Sequence, residues 1–359
     1  MAKDASFEKI EAIKPHPNAD KLELATICGW QVVVGKGEFN VGDVVFYIRE
    51  DAKLLGFDKH DRWPWQTKLI PYLGSSGRVK TVKLRGEFSC GIAVSLDALF
   101  GHINKAEAKD WEKDNVVLNG EFPGGLLSGK YGVTHWEAPI RNVGDMKVSG
   151  TLIPGLWKTD EENFQNIKDG EFPFGEEVLV TKKLDGTSCS ISSDPEGNVH
   201  VMSRSNSLYL DVDNIYNRAA KPLIPLVQAL AKHYNETIVI RGEVCGDRIN
   251  ASKVNLDCHG EPTFNLYATV FPYAKDMAQR IGLYGTQWHF LEVNKVCKQL
   301  TGQEIKTVPI EGIEVLTKKL LEDISNMPKE AGEGRVINTK SLRLPHFKSK
   351  SKEYIMNIG

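Results

Sequence analysis

The first hundred residues alternate apolar and polar positions over short runs that are separated by Gly, Pro, Asn and Asp. The runs are GWQVVVGKGEF, GDVVFYIRE, RVKTVKLRGEF and CGIAVSLDAL. Alternation over four to eight residues is typical of β-strands with one buried face, and closely spaced turns favour a small barrel or sandwich. The pattern therefore predicts an all-β N-terminal domain.

From Gly175 onward, strand patterns are interleaved with helical ones. EEVLVTKKLDG, TSCSIS, VHVMSRS, ETIVIRGEVCG and TFNLYATVFPY predict strands, whereas PLIPLVQALAKHY and IEVLTKKLLEDI predict amphipathic helices. GRVIN and LPHFKSK predict two closing strands, with nothing ordered required after Tyr354. We expect an α+β protein with one domain over residues 1–135, a Gly- and Pro-rich linker to about residue 154, and a second domain over residues 155–359.

Composition adds limits on location and partners. The chain has 359 residues and a net charge of −2, and no apolar run approaches the roughly 20 residues of a membrane span. The N-terminus MAKDASFEKIEA lacks the apolar core of a signal peptide, and the six cysteines show no CxxC spacing. These features predict an intracellular, cytoplasmic protein with no membrane association and no zinc site.

Positive charge is concentrated in two stretches of this near-neutral chain. Arg78, Lys80, Lys83 and Arg85 lie within eight residues, and the stretch 334–352 has six Lys or Arg and no acid. HPNADKLELATICGWQVVV resembles the opening of OB-fold modules attached to RNA-handling enzymes, which implies an OB-like β-barrel whose face holds RNA. Contact with RNA and a solvated strand face remain equal interpretations of the four basic residues.

The tetrapeptide Lys183-Leu184-Asp185-Gly186 follows a predicted strand and carries a coherent chemistry. A lysine amine is a nucleophile when its pKa is lowered by burial and by neighbouring cations, and its attack on an NTP α-phosphate gives a phosphoramide. Gly186 permits the backbone to approach the nucleotide closely. A KxDG match alone is weak, because a surface hairpin turn explains most isolated matches.

Four further motifs follow KLDG in order. They are Ser203-Arg204, Arg241-Gly242-Glu243, Glu333-Gly334-Arg335-Val336 and Phe347-Lys348-Ser349-Lys350. In this order and company the sequence resembles the covalent nucleotidyltransferases, namely polynucleotide ligases and capping enzymes. The resemblance covers about Leu152 to Tyr354 and implies an antiparallel-sheet, ATP-grasp-like nucleotidyltransferase domain.

Chemistry and resemblance together suggest a task for each matched residue. Lys348 and Lys350 alternate along one strand, so both reach the α-phosphate and help to keep Lys183 deprotonated. Carboxylates supply the hard oxygen ligands that Mg²⁺ or Mn²⁺ needs, and the candidates are Asp185, Glu243 and Glu333. The resemblance implies that Glu243 also engages the ribose and that Arg204 grips the ribose or a 5′-phosphate. It places Val336 on one adenine face, with the backbone near Leu184 reading the adenine edge.

One position departs from the pattern of related ligases, whose strand after the Glu243 motif carries an aromatic residue followed by Asp. Here TFNLYATVF places Thr269 and Val270 at these positions, and Tyr267 and Phe271 share the face of Thr269. The residue that stacks on adenine therefore stays open.

Domain order separates the branches of this superfamily. DNA ligases and capping enzymes carry an OB domain after the last lysine motif, whereas here the OB-like region precedes the transferase domain. This order resembles a branch of ATP-dependent RNA ligases that seal 3′-hydroxyl and 5′-phosphate nicks in duplex RNA, using ATP and Mg²⁺ or Mn²⁺. Two alternatives stay open, a GTP-dependent RNA guanylyltransferase and a non-catalytic RNA-binding protein with a relic transferase fold.

Overall fold

The chain packs as two compact units, Met1–Pro139 and Ile140–Ile358. The computed structural model describes residues 4–50, 52–54, 73, 77–100, 133–136, 147–158, 161–167, 169–247, 249, 257–276, 283–284 and 287–358. Of the predicted linker, from residue 136 to about residue 154, residues 137–146 lie outside these ranges.

The first unit consists of short strands and, within its described part, one short helix. The strands are β1 (Ala5–Pro15), β2 (Leu22–Ile27), β3 (Trp30–Gly35), β4 (Val44–Ile48), β5 (Ala52–Leu54), β6 (Val82–Leu84), β7 (Glu87–Ser89), β8 (Ile92–Ser95) and β9 (Val133–His135), and the helix is α1 (Leu96–Phe100). Five strands form an antiparallel sheet in the order β3-β2-β1-β4-β8, while β5 pairs with β9 and β6 with β7.

The long strand β1 curls the sheet of the first unit. Its first half pairs with β4 and its second half with β2, and the register shifts between Ile10 and Ala12. Such a bulge bends a strand and increases its twist. The sheet wraps around a core that includes Phe7 and Phe46, whose ring centroids lie 5.4 Å apart. The predicted OB-like β architecture is confirmed.

The second unit contains most of the strands and five described helices. Its strands are β10 (Val148–Thr151), β11 (Glu162–Asn163), β12 (Glu177–Lys183), β13 (Thr187–Ser193), β14 (Val199–Ser203), β15 (Asn206–Leu208), β16 (Ile238–Cys245), β17 (Thr263–Val270), β18 (Leu283–Tyr284), β19 (Gln287–Trp288), β20 (Ile310–Val315), β21 (Gly334–Asn338) and β22 (His346–Lys350). The helices are α2 (Ile215–Ala220), α3 (Ile224–Tyr234), α4 (His289–Thr301), α5 (Lys318–Ser325) and α6 (Lys352–Ile358). Within the described ranges, no helix is long and apolar enough to cross a membrane.

Two sheets organise this unit, and the prediction of an α+β fold with antiparallel sheets is confirmed. One has six strands in the order β10-β15-β14-β13-β16-β17, and the other has five in the order β11-β22-β21-β12-β20. All neighbouring pairs in these sheets are antiparallel except β11 and β22.

Helix α3 covers the six-stranded sheet because its apolar residues form one stripe. Leu226, Val227, Leu230 and Ala231 are buried in one cluster with strand residues such as Ile191. Pro225 is in the first turn, where its missing N–H costs no hydrogen bond, and Asn235 ends the helix in the left-handed conformation.

Two predicted elements are wrong. Of the predicted helix IEVLTKKLLEDI, the first residues belong to the edge strand β20, and helix α5 begins only after Thr317. The Thr317 side chain accepts a hydrogen bond from the Leu320 N–H, which caps the helix at this point. The chain also stays ordered beyond Tyr354, in α6.

The packing of α3 predicts a measurable difference between two leucines. Leu230 in α3 is 0% exposed, whereas Leu300 in α4 is 45% exposed. We expect Leu230→Ala to lower the free energy of unfolding by about 2–5 kcal/mol through lost burial and a cavity. Leu300→Ala should change it by less than about 0.5 kcal/mol. Urea unfolding followed by circular dichroism measures both, and equal losses would contradict the described core.

Candidate active site

Three lysines from two strands share one face of the five-stranded sheet. Lys183, at the end of β12, is paired in register with Gly334, which in turn is paired with Lys350. Lys348 lies opposite Val336 in the neighbouring row. Residues opposite one another across strands point to the same face, so the sheet itself brings these side chains together. Lys182 points to the other face, where its Nζ lies 2.5 Å from Asp257 Oδ1.

Gly334 makes this arrangement possible between Lys183 and Lys350. Its φ is +153°, and a Cβ atom at this position would lie 2.2 Å from the Ser349 carbonyl oxygen. Any side chain would therefore push β21 and β22 apart. The glycine of the predicted Glu-Gly-Arg-Val motif keeps the two strands, and the two lysines, at their present spacing.

Glu333 bridges the first and last lysine of the site. Its Oε2 accepts a hydrogen bond of 2.7 Å from Lys183 Nζ, and its Oε1 lies 3.3 Å from Lys350 Nζ. Burial alone would raise the pKa of this carboxyl, but Lys183 and Lys350 outweigh burial and lower the pKa to about 2. Glu333 is therefore ionised at neutral pH.

Lys183 is an ammonium ion in this arrangement. Burial favours the neutral amine, but the carboxylate of Glu333, assisted by Glu243 and Glu161, outweighs burial and raises the pKa of Lys183. The prediction that Lys348 and Lys350 keep Lys183 deprotonated is wrong for this arrangement, because the ion pair dominates. Lys348 behaves in the opposite way, since burial together with Lys350 and Lys183 lowers its pKa to about 8.

Glu243, in β16, faces the same site from the six-stranded sheet. Its Oε1 accepts a hydrogen bond of 3.1 Å from the Gly186 N–H. Burial raises the pKa of Glu243 to about 8, although Lys183 pulls it down. Gly186 itself has no room for a side chain, because a Cβ atom would lie 2.4 Å from the Val244 carbonyl oxygen. In the structure Gly186 approaches β16 closely. The sequence had predicted an approach to the nucleotide instead.

Asp185 is held by two groups from distant parts of the unit. Tyr354 Oη donates a hydrogen bond of 2.7 Å to Asp185 Oδ2, and the Cys258 thiol donates one of 3.2 Å to the Asp185 carbonyl oxygen. Within the described residues, no three His, Cys, Asp or Glu side chains converge as a metal-binding group. The three carboxylates predicted as metal ligands each have a protein partner instead.

The remaining predicted residues lie in different surroundings. Leu184 is buried in the large apolar core, so only its backbone is available to a ligand. Val336 is half-buried in the middle of the lysine-bearing face, between Thr181 and Lys348. Arg204 is exposed in the turn after β14, one residue beyond the Cys189–Ser203 pair.

Of the residues considered for adenine stacking, Tyr267 is the one beside the charged groups. Phe271 is buried against Tyr234, with ring centroids 5.1 Å apart, and Val270 packs in an apolar cluster. Tyr267 Oη is 3.1 Å from Ser188 Oγ. Burial, with Glu161 and Glu243, raises the pKa of Tyr267 to about 12, so its hydroxyl is neutral.

Glu161 is a site residue that the sequence analysis missed. It lies immediately before β11, which runs parallel to β22 with Asn163 opposite Lys348. Burial would raise its pKa, but His346, Lys348 and Lys183 outweigh burial and lower it. The segment TDEENFQ is a short acidic run that is typical of a solvated loop. Nothing in the sequence indicates that strand pairing carries this acid to the lysines.

The four basic residues singled out in the sequence of the first unit lie on and near the β6–β7 hairpin. Lys80, Lys83 and Arg85 are exposed, whereas the Arg78 guanidinium stacks 3.7 Å from the centroid of the Trp136 ring. His16 and Asn18, from the HPNAD segment, hold the hairpin through the carbonyl oxygens of Leu84 and Arg85. The anchored hairpin therefore presents Lys83 and Arg85, and Lys80 is exposed just before it.

The ion pair at Lys183 predicts how this amine reacts in the protein before nucleotide is added. Acetylating reagents react only with the neutral amine of a lysine. Each unit by which the pKa of the lysine is raised lowers the neutral fraction tenfold at a given pH. We expect acetylation of Lys183 at pH 8 to be slower than that of exposed Lys221. Glu333→Gln removes the counter-charge, lowers the pKa of Lys183 and should speed its acetylation by about tenfold.

Peptide mass spectrometry after timed acetylation measures these rates. Glu330→Gln, an exposed acid three residues away, is the matched control and should leave the rate unchanged. An unchanged rate in Glu333→Gln would show that this carboxylate does not set the protonation of Lys183.

Known proteins share both units of this chain. Residues 176–352 match the RNA ligase family, and residues 4–96 match an OB-fold domain family. No curated protein sequence matches the chain. A Naegleria gruberi RNA ligase variant solved with ATP and manganese is 25% identical, with a TM-score of 0.71 and 98% of each chain covered.

Two further structures of the same ligase are similar. A variant with AMP and manganese is 25% identical with a TM-score of 0.73, covering 98% of each chain. The form with pyrophosphate is 24% identical with a TM-score of 0.73, covering 99% of this chain and 98% of that one. With its ordered nucleotidyltransferase motifs, its lysine-bearing sheet and these matches, the chain belongs to the RNA ligases of the covalent nucleotidyltransferase superfamily that carry an N-terminal OB-fold domain.

Proposed function

We propose that this RNA ligase uses ATP to seal nicks with 3′-hydroxyl and 5′-phosphate ends, through a lysyl-AMP and an RNA-adenylate intermediate. The observation that carries the proposal is the position of Lys183. Its amine lies on the same sheet face as Lys348 and Lys350, and in contact with Glu333. An amine close to two cations suits attack on the α-phosphate of a nucleotide once it has lost its proton.

In the first step, Lys183 Nζ forms a bond to the α-phosphorus of ATP. The bond between that phosphorus and the oxygen bridging to the β-phosphate breaks, and pyrophosphate leaves. The Lys183 ammonium must first release a proton to solvent water, so its hydrogen bond to Glu333 has to loosen when ATP binds. Naegleria gruberi RNA ligase has been solved with ATP, with AMP and with pyrophosphate, which are the reactant and products of such a step.

Lys348 and Lys350 provide the positive charge for this step. Negative charge builds on the α-phosphate oxygens in the transition state, and fixed cations in a partly buried site stabilise it. The lowered pKa of Lys348 reflects the cost of keeping a charge that is buried and lies close to Lys350 and Lys183. A bound phosphate offsets this repulsion, so the lysines favour nucleotide binding.

The acids of the site fit a hydrated divalent cation. Asp185, Glu243 and Glu333 offer hard oxygen donors around Lys183, and Mg²⁺ retains several waters and takes few direct carboxylates. A three-carboxylate cluster is thus not required. Mg²⁺ or Mn²⁺ held here would neutralise phosphate charge. Naegleria gruberi RNA ligase has been solved with manganese.

The later steps follow from the chemistry of lysyl-AMP. An oxygen of the RNA 5′-phosphate attacks the AMP phosphorus, the bond to Lys183 Nζ breaks, and the amine recovers a proton. The RNA 3′-hydroxyl oxygen then attacks the 5′-phosphorus, loses its proton and displaces AMP. Arg204, exposed in the turn after β14, is the proposed contact for the ribose or the 5′-phosphate.

The OB-fold domain is the proposed RNA-binding module of the enzyme. Lys80, Lys83 and Arg85 are exposed on and just before an anchored hairpin, where they suit contacts with RNA phosphates. Arg78 is the exception, because its guanidinium already stacks on Trp136. We place the reaction inside the cell, on nicked or structured RNA.

Nucleotide labelling tests the reaction class. We expect transfer of label from α-³²P-ATP to the protein with Mg²⁺, and none from α-³²P-GTP. Lys183→Arg should abolish labelling, because a guanidinium stays protonated and is not a nucleophile. Lys182→Arg is the matched control, since this neighbouring lysine pairs with Asp257 on the other face and should still permit labelling.

Each alternative result has a defined meaning. Label from GTP would indicate a guanylyltransferase. Absence of label from either nucleotide would indicate a protein that binds RNA without this chemistry.

A triple variant tests the role of the OB-fold domain. Replacing Lys80, Lys83 and Arg85 with Ala should weaken binding to a nicked RNA duplex. The slope of the logarithm of the binding constant against the logarithm of the salt concentration should become shallower by about one for each phosphate that is no longer bound. Lysine adenylylation should stay within about twofold, because this step needs no RNA. Lys9, Lys21 and Lys36, also exposed in this unit, form the control triple. Equal binding by both triples would exclude the hairpin as the RNA-binding surface.

A further inference from the structure

Tyr354 connects the last helix to the segment Lys183–Gly186, which carries the proposed nucleophile. It is 1% exposed, and its Oη donates a hydrogen bond of 2.7 Å to Asp185 Oδ2, a residue 169 positions earlier in the chain. A buried hydroxyl in contact with a carboxylate forms a charge-assisted hydrogen bond, which is stronger and more directional than a neutral one. The contact therefore fixes how the Asp185 carboxylate is rotated.

The backbone around Asp185 is held independently of Tyr354. The Cys258 thiol donates to the Asp185 carbonyl oxygen at 3.2 Å, and the Gly186 N–H donates to Glu243 Oε1 at 3.1 Å. These two contacts hold the peptide group between Asp185 and Gly186 from both of its polar ends. Loss of the Tyr354 hydroxyl would therefore act on the side chain of Asp185 rather than on this peptide group.

The helix that carries Tyr354 is itself attached to the active site. The Ser351 N–H donates to the Glu333 carbonyl oxygen at 2.8 Å, and Ser351 Oγ accepts from the Tyr354 N–H at 3.1 Å. Ser351 directly follows Lys350, the last lysine of the site. The end of β22 thus positions the helix relative to Glu333, and the helix positions Asp185.

We propose that Tyr354 is a positioning residue, which orients the Asp185 carboxylate toward the divalent cation of the adenylylation step. This inference rests on the proposed function, in which Asp185 is one of the metal-binding acids. Groups that orient a metal ligand typically change metal affinity by about 10–100-fold when they are removed. Tyr354→Phe removes only the hydroxyl and keeps the buried ring.

Mn²⁺ binding to the full-length protein, measured by electron paramagnetic resonance without nucleotide, tests this role. We expect Tyr354→Phe to weaken Mn²⁺ binding by about tenfold. The Mg²⁺ concentration that half-saturates adenylylation should rise by a similar factor. Tyr47→Phe is the matched control, because Tyr47 is also 1% exposed and donates at 2.7 Å, to the Cys90 carbonyl oxygen of the other unit.

A double variant separates positioning from a general effect on structure. If Tyr354 acts through Asp185, then Tyr354→Phe should cause no further loss of Mn²⁺ affinity in an Asp185→Asn background. Ser351→Ala, which removes the cap of the last helix, should weaken binding in the same direction and provides a second variant if Tyr354→Phe fails to fold.

The proposal fails if wild-type protein does not bind Mn²⁺, if Tyr354→Phe binds it as wild type does, or if the loss persists in the Asp185→Asn background. These outcomes are distinct from failure of the proposed function, which is decided by whether the wild-type protein takes label from ATP. If the protein takes no label but Tyr354→Phe weakens Mn²⁺ binding only when Asp185 is present, Tyr354 still positions Asp185 toward the cation. In that case only the ligase reaction is excluded.

Discussion

Three lysine side chains on one partly buried sheet face repel each other, and the structure depends on the carboxylate of Glu333 to hold two of them together. Glu333 contacts Lys183 with one oxygen and lies close to Lys350 with the other. Loss of one partner from a buried ion pair typically costs about 3–5 kcal/mol, because it leaves a charge without compensation. The same contact keeps Lys183, the proposed nucleophile, protonated in the protein without nucleotide.

Antiparallel strand pairing is the means by which the chain assembles this cluster. Lys183 and Glu333 are separated by 150 positions in the sequence, yet β12 and β21 are neighbours and their register brings the two together. Gly334 permits β22 to approach β21 closely, so that Lys350 reaches the same carboxylate. The six-stranded sheet contributes Glu243, and the close approach of Gly186 to β16 holds the segment Lys183–Gly186 against that strand.

Much of this arrangement was predictable from the sequence, because the strands follow local alternation and the motifs occur in a fixed order. Lys183, Lys350 and Glu333 meet as expected. The protonation of Lys183 was not predictable, since it depends on a distance that the sequence does not encode. Glu161 and Tyr354 were not predicted for a related reason. Glu161 lies in an acidic run and Tyr354 follows the last motif. Only contacts between residues far apart in the sequence make them part of the site.

The structure of the protein after incubation with ATP and Mg²⁺ would test the central claim most directly. The account predicts a covalent bond between Lys183 Nζ and the phosphorus of AMP, with Lys348 and Lys350 against the phosphate oxygens and the hydrogen bond from Lys183 to Glu333 broken. AMP attached to another residue, or an intact Lys183–Glu333 ion pair beside bound nucleotide, would contradict the account.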